Sequence, residues 1–145
     1  MKNNPKPSFS WDEKDGMAIC VLSDGKDVYI GTARCCEEDR DMMNEKTGCE
    51  IALKRAMIEY YRNIRDHELI PALNALKGIA FTFKNCKQNH DSQQIVQKQI
   101  YKINSDLKLI KGLILEEQKS LNNYLVAKNT FYKQIRANRQ KDKNK

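Results

Sequence analysis

A chain of 145 residues with 26 Lys and Arg against 19 Asp and Glu is long enough for one domain with a modest core. No apolar run approaches the roughly eighteen residues of a spanning helix, and MKNNPKPSFS has no apolar stretch, so neither a membrane span nor a signal peptide is expected. The net charge of +7 is unevenly placed: residues 8–50 hold five bases and eleven acids, residues 51–135 fourteen and seven, and residues 136–145 five and one. Either the charged ends are solvated and disordered, or acidic and basic regions meet across subunits, or the basic helical part lines an anion site.

In chain order, residues 1–7 read as a flexible arm and residues 8–46 as a sheet region. FSW, MAICVL and DVYIGTARC are rich in β-branched and aromatic residues, and DEKDG and SDGK between them both contain Asp-Gly. Asp-Gly between apolar runs signals a hairpin, because glycine accepts positive φ. A three-stranded antiparallel meander follows. MAICVL is apolar on both faces, so this strand is either covered twice or turns its second face to another subunit.

After the acidic CEEDRDMMNEK, a first helix is expected over 47–84, with Thr47 and Glu50 as its capping box. Its stripe runs Cys49, Ala52, Leu53, Ala56, Met57, Tyr60 and Ile64, then Leu69, Leu73, Leu76, Ala80 and Phe83. Pro71 inside this pattern predicts a kink or break. The polar KNCKQNHDS ends the helix, and Asp91 or Ser92 caps a second one over 91–137. Val96, Ile100, Ile103, Leu107, Ile110, Ile114, Glu117, Leu121, Tyr124, Lys128, Phe131 and Ile135 alternate four and three apart along it. That is the 3.5 period of a coiled-coil seam, and so long a stripe demands a partner helix from its own chain, another subunit or both. Gly112 predicts a bend or a close crossing, and residues 138–145 a basic disordered tail. The fold class expected is α+β: one domain over 8–135, with a small three-stranded sheet and two long helices in an antiparallel hairpin, assembled as an oligomer.

Catalytic signals are sparse. The five cysteines (Cys20, Cys35, Cys36, Cys49, Cys86) form no CxxC pair, which points to reduced thiols rather than zinc. His67 and His90 stand in no nucleophile pattern, EEDRD at 37–41 lacks an EF-hand register, and no phosphate-binding glycine motif occurs. No enzyme, cofactor or metal is expected. Binding is better supported. FTFKNCKQNH gathers Phe81, Phe83, Lys84, Asn85, Lys87, Asn89 and His90, where aromatic faces can stack on a base while cations and amides hold phosphate and base edges. Each Phe could equally close the end of the hairpin. Arg55 and Arg62, seven apart, form a cationic strip with Arg65, with Lys108 and Lys111 as weaker candidates; such a face is otherwise simply solvated.

Taken together, FSWDEKDGMAICVL, YIGTARC, NEKTGCEIALKRAMIEYYRNIRD and the charged helical half ending FYKQIRANR resemble the phage Thoeris anti-defence proteins of the first type, across nearly the whole chain. The resemblance implies a non-catalytic sponge in the host bacterial cytoplasm. Such proteins bind cyclic ADP-ribose isomers made by bacterial TIR-domain enzymes, at pockets between subunits of dimers to hexamers, and some members hold cyclic oligonucleotides at a separate site. It also implies a small antiparallel sheet and two long helices. On that basis Phe81 or Phe83 stacks on adenine, Asn85 or Asn89 reads a polar edge, and Arg55, Arg62 and Lys111 meet the phosphates. The second helix carries lysines where the resemblance implies an arginine. Two other readings compete. One is a nucleic-acid-binding protein with a β-β-β-α module like that of double-stranded-RNA-binding domains and a basic tail. The other is a coiled-coil adaptor, which requires that the long stripe stay partly exposed.

Overall fold

The computed structural model describes residues 4–35, 44–84 and 90–144. Strands β1 (Lys6–Asp12), β2 (Met17–Ser23) and β3 (Val28–Arg34) form an antiparallel sheet in that order. Helix α1 (Glu45–Asn63) runs through a π-helical segment (Ile64–Leu69) into α2 (Ile70–Phe83), and α3 spans His90–Lys143. The α+β class with a three-stranded antiparallel sheet followed by long helices is therefore observed. Within the chain two compact units can be described, Met1–Tyr60 with Glu116–Lys145, and Tyr61–Leu115.

Both hairpins turn at the expected Asp-Gly steps. Gly16 and Gly25 have positive φ, at 59° and 90°. The Asp12 carboxylate accepts the amides of Lys14 and Asp15, and that of Asp24 accepts those of Lys26 and Asp27. These amides hold the Asp24 carboxyl below its ordinary range. β1 starts at Lys6, inside the stretch read as an arm, because its pairing with β2 extends to Ser23.

In the first unit, alternation along the strands sends Ala18, Cys20 and Leu22 of β2 and Tyr29, Gly31 and Ala33 of β3 to one buried face. Gly31 lies directly against the backbone of α1. A Cβ there would collide with the Ala52 carbonyl oxygen and sit 2.5 Å from the Ala56 nitrogen. Tyr29 meets Tyr60 edge to face, with ring centres 5.3 Å apart. α1 is thus buried against the sheet through Ala52, Ala56 and Tyr60.

A second stripe of α1 meets α3. Thr47 and Glu50 hydrogen-bond the Tyr124 hydroxyl, and Lys54 Nζ donates to Ser120 Oγ at 2.9 Å. Rising numbers on α1 meet falling numbers on α3, so the helices are antiparallel here. This tertiary use of Thr47 and Glu50 displaces the expected capping box. The cap is Asn44, whose Oδ1 accepts the Thr47 amide at 2.8 Å. In the second unit, Gln93 donates to the carbonyl of Phe83, setting the start of α3 against the end of α2.

The regular α-helix is interrupted just before Pro71, although the helical path continues. The wider turn over Ile64–Leu69 precedes it, and the Ile70 amide bonds back five residues to Arg65. Proline, at the start of α2, has no amide to satisfy and forces no gap. On α3, eleven of the twelve heptad positions are buried or half-buried; only Phe131 is exposed, at 56%, while Tyr132 is 4% exposed. Buried Val96, Ile114 and Tyr132 are each eighteen residues apart, which is five turns at 3.6 residues per turn. The heptad stripe thus stays on the covered side through half-buried Lys128 and Ile135, with Tyr132 taking the buried place beside Phe131. α3 also continues to Lys143, through the residues read as a disordered tail.

Gly112 is at no close crossing: a Cβ there, as at Gly78, would meet nothing within 4 Å. Gly31→Ala should therefore destabilise the fold by about 3 kcal/mol, whereas Gly112→Ala should stabilise it by about 1 kcal/mol, both read by urea titration.

Candidate functional site

Phe81 projects from the last turns of α2 and is 73% exposed. An aromatic ring held this far into water on a rigid helix gains nothing from the core. It lines a cleft of about 380 Å³ with Ala80 and Lys84 on its own side and Gln93 and Gln97 of α3 opposite. Both glutamines lie on successive turns of one α3 face, and Gln93 is fixed by its bond to the Phe83 carbonyl. The cleft therefore offers one stacking face, one ammonium and two amides within the second unit.

Phe83 is half-buried, and its carbonyl closes the end of α2 against Gln93; of the two phenylalanines it is the one that closes the hairpin. Asn85 and Asn89 lie outside the described residues. Arg55 belongs to the first unit, where its Nη1 donates to the Thr32 carbonyl of β3 at 2.7 Å. Its guanidinium ties α1 to the sheet rather than joining a cation strip. Arg62 is half-buried near the end of α1. Arg62 and Phe81 are nineteen residues apart along the α1–α2 helical path, roughly 28 Å at 1.5 Å per residue. Lys111 is exposed on α3, fourteen residues beyond Gln97 and so roughly 21 Å along that helix. Arg65 is engaged by Asp66 through Nε–Oδ1 at 2.7 Å and Nη2–Oδ2 at 3.2 Å. Of the expected ligand residues described in the second unit, Arg62, Phe81, Phe83 and Lys111, Phe81 is the one that lines this cleft. Lys84 was legible in the FTFKN run, but Gln93 and Gln97 carry no motif and emerge only when α3 folds against α2.

A smaller cleft of about 210 Å³ lies in the first unit, lined by Asn44, Thr47, Tyr124, Ala127, Lys128, Phe131 and Tyr132. Lys128 Nζ sits 5.3 Å from the centre of the Tyr132 ring. Burial pushes the Tyr124 phenol above its ordinary value; its bond to Glu50 adds to this and that to Thr47 opposes it. Among the described residues no group of three or more His, Cys, Asp or Glu could hold a metal ion, and no helix is long and apolar enough to cross a membrane.

No family model, curated protein or solved structure matches the chain.

Two checks follow from these placements. Arg55→Ala should cost about 1 kcal/mol through the lost bond to Thr32, whereas Phe81→Ala should change stability by less than about 0.5 kcal/mol in the same denaturation assay. Because the folded Tyr124 phenol holds its proton more tightly than the unfolded one, its contribution is complete below a phenol's usual value of about 10 and is lost as pH rises through the higher folded value. Stability measured from neutral to strongly alkaline pH should fall more steeply for wild type than for Tyr124→Phe.

Proposed function

We propose that this chain is a phage anti-defence protein that captures a cyclic ADP-ribose isomer made by bacterial TIR-domain enzymes and so silences Thoeris immunity. The observation that carries the reading is the exposed Phe81 ring above a cleft shared with Lys84, Gln93 and Gln97. Such a ligand carries adenine, a pyrophosphate and two riboses. Adenine would stack on Phe81, Lys84 would meet a phosphate, and the glutamine amides would pair with ribose or base edges. The resemblance of the chain to the sponge family supplies the ligand class. The reaction asked of the protein is binding alone, and no group in this cleft is required to act as acid, base or nucleophile.

On one chain the cleft is open to solvent, and an open cleft is a poor trap for a small dianion. A nanomolar dissociation constant corresponds to about −12 kcal/mol, which needs an enclosed pocket. A second subunit closing over the cleft would enclose the ligand and slow its release, in keeping with an oligomer in the host cytoplasm. The adaptor reading keeps support of its own: seven of the twelve stripe positions on α3 are only half-buried and Phe131 is exposed. The nucleic-acid alternative keeps one supporting observation, the exposed Lys133, Arg139, Lys141 and Lys143 on the helical end of α3.

Native mass spectrometry of the protein with a TIR-enzyme reaction filtrate tests the reading. About one cyclised ADP-ribose per subunit should be gained and released intact on heating, and Phe81→Ala should weaken capture by about 10- to 100-fold. An unchanged mass in the filtrate would sink it, and steeply salt-dependent binding of oligonucleotide instead would favour the nucleic-acid alternative.

A further inference from the structure

The outer face of the sheet is apolar at its centre and charged at three corners. Strand register sets its side chains in four rows: Lys6–Ser23–Val28, Ser8–Val21–Ile30, Ser10–Ile19–Thr32 and Asp12–Met17–Arg34. These alternate with the residues that bury Gly31 against α1, so they point away from the helix. Val28 and Ile30 remain 61% and 56% exposed, and Met17, Ile19 and Val21 are only half-buried. Two neighbouring strands thus present five aliphatic side chains, with no charge among the inner two rows.

We propose that this face pairs with the same face of a second copy, about a two-fold axis parallel to β2. Among possible occupants, the charge pattern selects a second copy. Rotation about that axis keeps each row opposite itself and exchanges β1 with β3. Asp12 then lies opposite Arg34 of the partner subunit, and Arg34 opposite Asp12 of the partner subunit. Val21 and Ile19 meet their own copies across the axis, and Ser8 and Ser10 oppose the partner's Ile30 and the partner's Thr32. Like charges are never placed face to face, since Lys6 falls opposite the partner's Val28. The Asp12 turn holds its carboxylate in place through the amides of Lys14 and Asp15. Two such sheets would stack at the usual spacing of about 10 Å, with their central strands parallel, inside the range of about 30° that aligned sheets adopt. This pairing joins copies whether or not a nucleotide is bound, and it is separate from the Phe81 cleft, which belongs to the other unit.

Three short strands make a small face. It falls below the roughly 1,200 Å² of a standard interface, so self-association through it alone should lie in the micromolar range and depend on concentration. Sedimentation velocity of the full chain from about 1 µM to about 1 mM is the test, with circular dichroism confirming the fold of each variant. Ile30→Lys, at an exposed site, should raise the dissociation constant of this step by at least about 100-fold, since two side chains are lost per pair. Arg34→Glu should weaken it by setting two carboxylates opposed, and Asp12→Asn added to Arg34→Glu should recover part of the loss while keeping the turn acceptor. A wild-type chain that stays monomeric throughout, or an assembly unchanged by both Ile30→Lys and Arg34→Glu, would overturn the proposal. If Phe81→Ala abolishes nucleotide capture yet sediments as wild type, the sheet-face pairing stands apart from the sponge reading.

Discussion

The contact between Gly31 and the α1 backbone at Ala52 and Ala56 sets the geometry of the first unit. A sheet and a helix packed through ordinary side chains stand about 10 Å apart. Here a missing Cβ lets strand and helix touch, and the inner face is correspondingly lined with small residues, Ala18, Cys20 and Ala33 beside Leu22 and Tyr29. Close approach brings the Arg55 guanidinium within reach of the Thr32 carbonyl. It also leaves the larger aliphatic residues of β2 and β3 on the opposite face, away from the helix.

From that contact the role of α1 follows. It is buried on the sheet side by Ala52, Ala56 and Tyr60, and on another side reaches α3 through Thr47, Glu50 and Lys54. A helix held on two sides is a rigid strut, and its cap can be supplied by a residue outside it, Asn44, because the candidate capping pair is occupied elsewhere. The π turn before Pro71 works in the same direction. It absorbs a residue that cannot donate a hydrogen bond without ending the helical path, so the end of α2 still arrives beside the start of α3. The Phe81 cleft exists because of that continuity.

Phe81 and Phe83 show how an exposed ring differs physically from a packed one of the same type. Phe83, two positions later, is half-buried, and its carbonyl is engaged by Gln93, while Phe81 sits on the opposite side of the turn in water. Residues spaced by two on a helix are about 200° apart, so one of the pair must leave the core. Composition alone could not say which. A ring left in solvent adds little to stability and keeps its face free for a ligand.

Several features were settled by local chemistry and were therefore readable from the chain: the Asp-Gly turns, the two-residue alternation of β2 and β3, the covered stripe of α1 and α2, and the covered face of α3. Each depends on residues near one another in sequence. The four-three stripe of α3 was readable as well, with one residue of slippage, from Phe131 to Tyr132, after five heptads, because periods of 3.5 and 3.6 diverge by only about 20° per heptad. What the tertiary structure alone decided were the matters of distance between elements. It placed Arg55 on a strand carbonyl and brought Gln93 and Gln97 to the cleft. A site assembled from two helices depends on how they pack, and no residue records its partner across a turn in its own neighbourhood.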